Sequence, residues 1–139
     1  HYDCQLPWFF IEENDWGLTL EDRRLEFCFT PYVPFPESFM TYDPVARVIF
    51  TCDIFGCSAG FPQPFFAYNL DYIEQMKTFH HCHIAANRIL VSALDIVASH
   101  TVDIIAPQSG SLFGKKLLPS VIKELKTVDC GIDGNKRGN

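Results

Sequence analysis

The sequence predicts an α/β (α+β) chain with a mixed or antiparallel sheet, and three observations predict it. Leu25, Phe27 and Phe29 alternate with Glu26 and Cys28, the period of two that gives a strand one strongly apolar face. Farther along, Ile89, Leu90, Ala93, Leu94, Val97 and Ala98 recur at three- and four-residue spacing, and so do Leu117, Leu118, Val121, Ile122 and Leu125. Each set gives a helix an apolar stripe that must be buried. Between the two stripes, residues 102–106 form a short apolar strand ended by Pro107 and Gly110.

Taken in order, residues 7–12 read as an opening strand, because Trp8, Phe9, Phe10 and Ile11 form an apolar run ended by Glu12-Glu13-Asn14-Asp15. Residues 17–20 supply a second short strand ahead of the alternating one. Pro31, Pro34 and Pro36 then break regular pairing, since proline removes a donor and fixes φ, and this places a loop near the sheet rim. Residues 38–42 and 47–51 read as a hairpin with Asp43-Pro44 starting the turn. Residues 57–69 are a long connection rich in Gly, Pro and Phe; with Phe61, Phe65 and Phe66 it either seals the core or shapes a pocket or lid. Residues 70–79 read as a helix with Asn69 as N-cap and Glu74 on its polar side. A second helix lies beyond Ile84, and a third covers residues 115–128. The organisation predicted is one domain over residues 1–133, with 134–139 a polar, glycine-rich tail or a linker cut short.

A chain of 139 residues is long enough for one ordinary domain with a sizeable core. Its thirteen Phe predict an unusually aromatic interior. A net charge of −6 opposes unspecific nucleic-acid binding, which needs clustered Lys and Arg to neutralise phosphates. The pairs Arg23-Arg24, Lys115-Lys116 and Lys136-Arg137 read as solvated surface or chain end. No apolar run approaches the roughly 20 residues of a membrane span, so no membrane partner is expected. The six cysteines lack the spacing of a disulfide scaffold or a zinc ribbon, and Cys28 and Cys52 lie in apolar strand contexts. Reduced thiols acting as small hydrophobes, and hence a reducing, cytoplasmic compartment, follow from that pattern.

The chemistry begins at Thr51-Cys52-Asp53-Ile54-Phe55-Gly56, which puts a carboxylate at the exit of the apolar strand Val48-Ile49-Phe50. Such a position holds a metal-binding or catalytic carboxylate at the rim of a buried sheet. The plainer alternative is that Asp53 caps the turn by bonding nearby backbone N–H groups.

Residues 25–43 and 49–56, then Phe79-His80-His81-Cys82-His83 and the residues to Leu90, then Ile104-Ile105-Ala106-Pro107-Gln108-Ser109-Gly110-Ser111, and last Leu125-Lys126-Thr127-Val128-Asp129-Cys130-Gly131 follow one another in a telling order. Together they resemble the second half of the metallo-β-lactamase-fold di-iron domain of flavodiiron proteins and of oxygen-binding di-iron signalling proteins. The resemblance covers residues 8–133. It implies half of an αββα sandwich with helices on one face of the sheet. It also implies a family cofactor of two irons and the reduction of oxygen or nitric oxide.

The departures from that pattern are chemical. Where the family places a histidine ligand after its Thr-Pro-aromatic segment, this chain has Pro34, whose ring cannot bind metal. Where the family reads Ala-Pro-x-His-Gly, this chain reads Ala106-Pro107-Gln108-Ser109-Gly110, and a serine hydroxyl lacks the basicity of imidazole. The family's first-half His-x-Glu-x-Asp-His cluster falls upstream of where the chain begins. Asp53 alone of the family's ligand set matches. Two irons need several anionic or imidazole donors to offset their repulsion and lost hydration, so this chain alone is expected to hold no di-iron centre and no other cofactor.

His80-His81-Cys82-His83 is a local cluster of good donors. If helical, it puts His80 and His83 on one face, where they could bind zinc with a third donor; surface histidines at a helix junction are the competing account. Cys57 could pair with His80 or His83 as a nucleophile and base, although nothing local brings them together. Ser109 does not follow the Gly-x-Ser-x-Gly pattern of hydrolases and reads better as a replaced ligand.

For this chain alone the reading is a non-catalytic derivative of the di-iron domain with a sensory, regulatory or interaction role. The alternative is a metal-dependent oxidoreductase or hydrolase whose missing ligands come from a partner or from an absent N-terminal half. A third possibility is a Phe-lined cleft near Asp53 that takes an apolar or cationic compound. A half-sandwich leaves part of its sheet uncovered, at about 25 cal/mol per Å² of apolar surface, so the expected partner is a second copy or a separate first-half chain.

Overall fold

Eleven short elements follow one another along the chain in the computed structural model, which describes residues 7–58, 60 and 62–133. A 3-10 helix (Glu12–Asn14) precedes strands β1 (Gly17–Leu20), β2 (Arg23–Phe29), β3 (Phe39–Asp43), β4 (Val48–Phe50) and β5 (Phe66–Ala67). Helices α1 (Ile73–His83) and α2 (Asn87–Ser99), strands β6 (Ile104–Ala106) and β7 (Leu112–Gly114), and helix α3 (Leu118–Leu125) complete them. The strands form one mixed sheet in the order β1-β2-β3-β4-β6-β7-β5. The first four are an antiparallel meander; β6 lies parallel to β4 and β7 parallel to β5. A parallel neighbour needs a long crossover, and α1 and α2 supply it between β4 and β6.

Register decides which face holds the core. Tyr42, Ile49, Ile105 and Phe113 stand directly opposite one another across four strands, and none is more than 6% exposed. They share one cluster with Met76 of α1, Leu90, Ala93, Leu94 and Val97 of α2, and Val121, Ile122 and Leu125 of α3. All three helices therefore cover this face. The adjacent row, Phe27, Thr41, Phe50 and Ala106, points the other way because side chains alternate along a strand. Phe50 on that side is 51% exposed, and Phe29 and Phe39, which pair with each other, are 44% and 36% exposed. One half of a sandwich is what is seen: the three α-helices cover one face, and the other carries no α-helix, only the N-terminal segment with Trp16 packed on Phe29 at 5.2 Å.

Several sequence expectations change. Residues 7–10 are not a strand: the chain turns at Ile11, whose carbonyl accepts the N–H groups of Asn14 and Trp16, so the apolar run never meets a partner strand. Trp8, Phe9 and Phe10 are consequently exposed. Helix α1 starts at Ile73, because the Asn69 side chain accepts the Asp71 N–H in a tight turn instead of capping a helix. It then runs on through the histidine cluster to His83. Helix α3 starts at Leu118 after Leu117 N–H closes on the Gly114 carbonyl, with Pro119 in its first turn. Phe65 is 84% exposed and does not seal the core, and Ala98 leaves the buried stripe of α2. Phe61, Cys4 and the tail 134–139 lie outside the described residues. Among the described residues no helix is long and apolar enough to cross a membrane.

Candidate functional site

The loop after β4 is built by its own backbone. Thr51 N–H donates to the Ala106 carbonyl and extends the β4–β6 ladder by one bond, while the buried Thr51 hydroxyl donates to the Ile54 carbonyl at 2.7 Å. Ile54 N–H returns to the Thr51 carbonyl, and Gly56 N–H to the Asp53 carbonyl. Two residues of this double turn are left-handed, Cys52 at φ 52° and Phe55 at φ 65°. Non-glycine residues adopt that region only where the surroundings impose it. The imposing contacts come from the loop after β6: Gln108 N–H donates to the Cys52 carbonyl and Cys57 N–H to the Ser109 carbonyl. Gly56 is required where the loops meet, since a Cβ there would lie 2.9 Å from both the Asp53 carbonyl oxygen and Ser109 Oγ.

His80 closes the site from beneath. Its Nε2 accepts the Phe55 N–H at 3.1 Å, and its Nδ1 binds the Met76 carbonyl at 2.6 Å. A carbonyl can only accept, so Nδ1 carries the hydrogen and the ring is neutral. The side chain is fully buried, and burial pulls its pKa down to about 4. His83 binds the Phe79 carbonyl through Nδ1 at 2.8 Å and stacks on the Phe79 ring at 4.2 Å. The structure thus brings His80 to the Asp53 loop through Phe55, with both ring nitrogens engaged, and leaves His83 on the helix surface side. Nor does Cys57 hydrogen-bond to either histidine among the described residues: burial pushes its thiol up and keeps it neutral.

Asp53 itself is half-buried, and its carboxylate makes no hydrogen bond or ion pair among the described residues. The turn is closed by its backbone carbonyl, not by side-chain capping. The donors nearby suit two irons poorly. Burial, and the charge of Asp53 after it, push the Cys52 thiol up, which keeps it protonated. Ser109 Oγ is buried without a hydrogen-bond partner among the described residues, at the position where the resemblance expects imidazole. Among the described residues no group of three or more His, Cys, Asp or Glu side chains converges to hold a metal ion. A di-iron centre therefore does not fit the side chains present.

A cleft of about 730 Å³ opens on the bare face beside this loop, walled by Phe35, Phe39, Phe50, Phe65, Cys52 and Gln108. Its carboxylate is Glu37, not Asp53, which the sequence order gave no reason to expect. Sequence reasoning also missed a Cys–His contact that does form: Cys28 Sγ lies 3.5 Å from His100 Nε2, across 72 residues of chain.

Residues 1–110 match the family described as ODP family beta lactamase. The Type A flavoprotein fprA of Rhodobacter capsulatus is 30% identical over 104 residues, 69% of this chain and 22% of that protein. A solved structure described as a peroxy diiron species of chemotaxis sensor ODP superposes with a TM-score of 0.80 at 20% identity, over 87% of this chain and 53% of the other. The apo state of chemotaxis sensor ODP from T. denticola gives 0.77 at 22% identity, over 87% and 52%. The chain spans about half the length of those sensor structures and about a fifth of the flavoprotein. Those superpositions carry the fold, the related proteins are di-iron proteins by description, and the match across most of its length means that this chain belongs to the ODP beta-lactamase family.

Proposed function

We propose that this chain is a non-catalytic member of the family that acts through binding, in a sensory or regulatory role. The observation that carries the reading is the donor set around Asp53: a lone carboxylate, two neutral thiols, an orphaned serine hydroxyl and a histidine whose nitrogens are both engaged. Affinity for paired irons follows ligand number and type, and this set is short on both counts. The sensor role is drawn from the relatives described as chemotaxis sensors. The expected partner is a second copy of the chain or a separate first-half chain, seated on the bare sheet face. Each half-exposed Phe covered there would contribute about 1 kcal/mol, roughly half of a full burial. Iron analysis of the purified chain after anaerobic reconstitution tests the proposal: well under one iron per chain is expected, and about two per chain would overturn it.

A second reading rests on the unpartnered Asp53 carboxylate. A metal-dependent oxidoreductase or hydrolase could form if another chain brought the missing ligands, with Asp53 as one donor. Pro34 and Ser109 would still leave such a site two imidazoles short. Iron uptake that appears only on mixing with an upstream-half chain would favour this alternative.

A further inference from the structure

Strand alternation sends Phe27 and Phe29 to the face away from the helices and Cys28 between them to the helix side, where it meets His100, the C-cap just beyond α2. There the Cys28 thiol faces His100 Nε2 at 3.5 Å. The ring is oriented by a third group, because His100 Nδ1 binds the Ile96 carbonyl at 2.7 Å, with Ser99 Oγ at 3.3 Å. Since that carbonyl can only accept, the hydrogen sits on Nδ1 and Nε2 is left as the acceptor for the thiol proton. The Tyr42 ring packs edge-on against the imidazole at 4.8 Å and limits its rotation. A nucleophile within reach of a base, with the base aligned by a further group, is the arrangement that activates cysteines. Both side chains are half-buried, so the pair is reachable by small molecules.

We propose that Cys28 and His100 form a thiol–imidazole pair at which small neutral hydroperoxides oxidise Cys28 to a sulfenic acid. The reagent class follows from the surroundings: half-burial admits a small molecule, and the Glu26 carboxylate two residues away disfavours anionic oxidants. Burial and then Glu26 push the thiol up, so the resting sulfur is protonated and a base must take the proton as the bond forms. The sulfur lone pair attacks one peroxide oxygen and the O–O bond breaks. The S–H proton passes to Nε2 and then to the departing alkoxide, or to hydroxide when the reagent is hydrogen peroxide, leaving sulfenic acid and an alcohol or water. Sulfur loses two electrons and the peroxide gains them. This inference is independent of what covers the bare face and of whether iron binds.

The test uses the full chain with hydrogen peroxide, dimedone trapping and site-resolved peptide mass mapping. Cys28 should be trapped at least tenfold faster in the folded chain than in the urea-unfolded chain, and His100→Gln should slow it by about tenfold or more. Exposed Cys82 supplies the internal control, since its rate should be the same in wild type and variant. Oxidised glutathione, an anion, should leave Cys28 unmodified under the same conditions. Trapping at Cys82 with none at Cys28 would overturn the proposal, as would a Cys28 rate that does not fall on unfolding, or a mixed disulfide formed as readily as the sulfenic acid. If His100→Gln fails to fold, the folded-against-unfolded comparison in the wild-type chain decides alone.

Discussion

At the scale of single residues, the histidine beneath the Asp53 loop ties that loop to α1 through Phe55 and the Met76 carbonyl. His80 is neutral and buried, with a pKa near 4 in the folded chain against about 6.5 when unfolded. A depressed value means that the unfolded chain binds the proton more readily between those limits. The stabilisation is therefore complete above about pH 6.5 and is lost as pH falls toward 4, by an amount on the order of 3 kcal/mol. Urea unfolding followed between pH 7 and pH 4 should show this decline, and His80→Phe should flatten it. The same variant leaves the Phe55 N–H without its acceptor, at a cost of about 1–3 kcal/mol at pH 7. Gly56→Ala should cost about 1–3 kcal/mol, because its new methyl must displace the Asp53 carbonyl, Ser109 Oγ or Phe79, which stands at 3.1 Å. Asp53→Asn, by contrast, should leave the unfolding midpoint nearly unmoved, within about 0.5 kcal/mol, since its carboxylate holds nothing in place.

At the scale of elements, the helices bind the sheet through narrow stripes, and truncation there should be felt directly. Leu94 is fully buried in α2 within the cluster that includes Ile49 and Ile105. Leu94→Ala should lower stability by about 2–5 kcal/mol in denaturant titration. Elements whose own residues repeat with the right period were legible in advance: the alternation of β2, the hairpin of β3 and β4, and the stripes of α2 and α3. The hairpin turn was legible as well, because Asp43 accepts the Val45 and Ala46 N–H groups, and the Ala46 amide and the Arg23 guanidinium hold its carboxyl below the usual range. Strands β5 and β7 were not legible. With two and three residues each, they show no period, and they are strands because their parallel pairing places Phe66 opposite Leu112. The run 8–11 misled for the opposite reason: apolar composition without a partner strand does not make a strand.

At the scale of the whole molecule, the exposed aromatic face is where the proposed partner would sit. Phe29, Phe39, Phe50 and Phe65 stand on or beside a surface that no α-helix covers, with Trp16 packed on Phe29 at its edge. A contiguous apolar patch of that kind marks an interaction surface in a folded protein. Phe50→Lys in the middle of the face should shift sedimentation of the chain at micromolar concentration toward monomer while leaving the buried row from Tyr42 to Phe113 intact; a wild-type chain that is already a compact monomer would count against self-association.

The sequence by itself determined the local periods, the hairpin turn and the absence of an imidazole at Pro34 and Ser109, because each of those is written in a residue and its near neighbours. Tertiary structure alone decided that Phe55 meets His80, that Cys28 meets His100 in place of any pairing with Cys57, and that a two-residue strand closes the sheet. Those contacts join positions 25 and 72 apart in the chain or elements too short to signal themselves, and proximity of that kind arises only when burial of the shared core folds the distant segments onto one another.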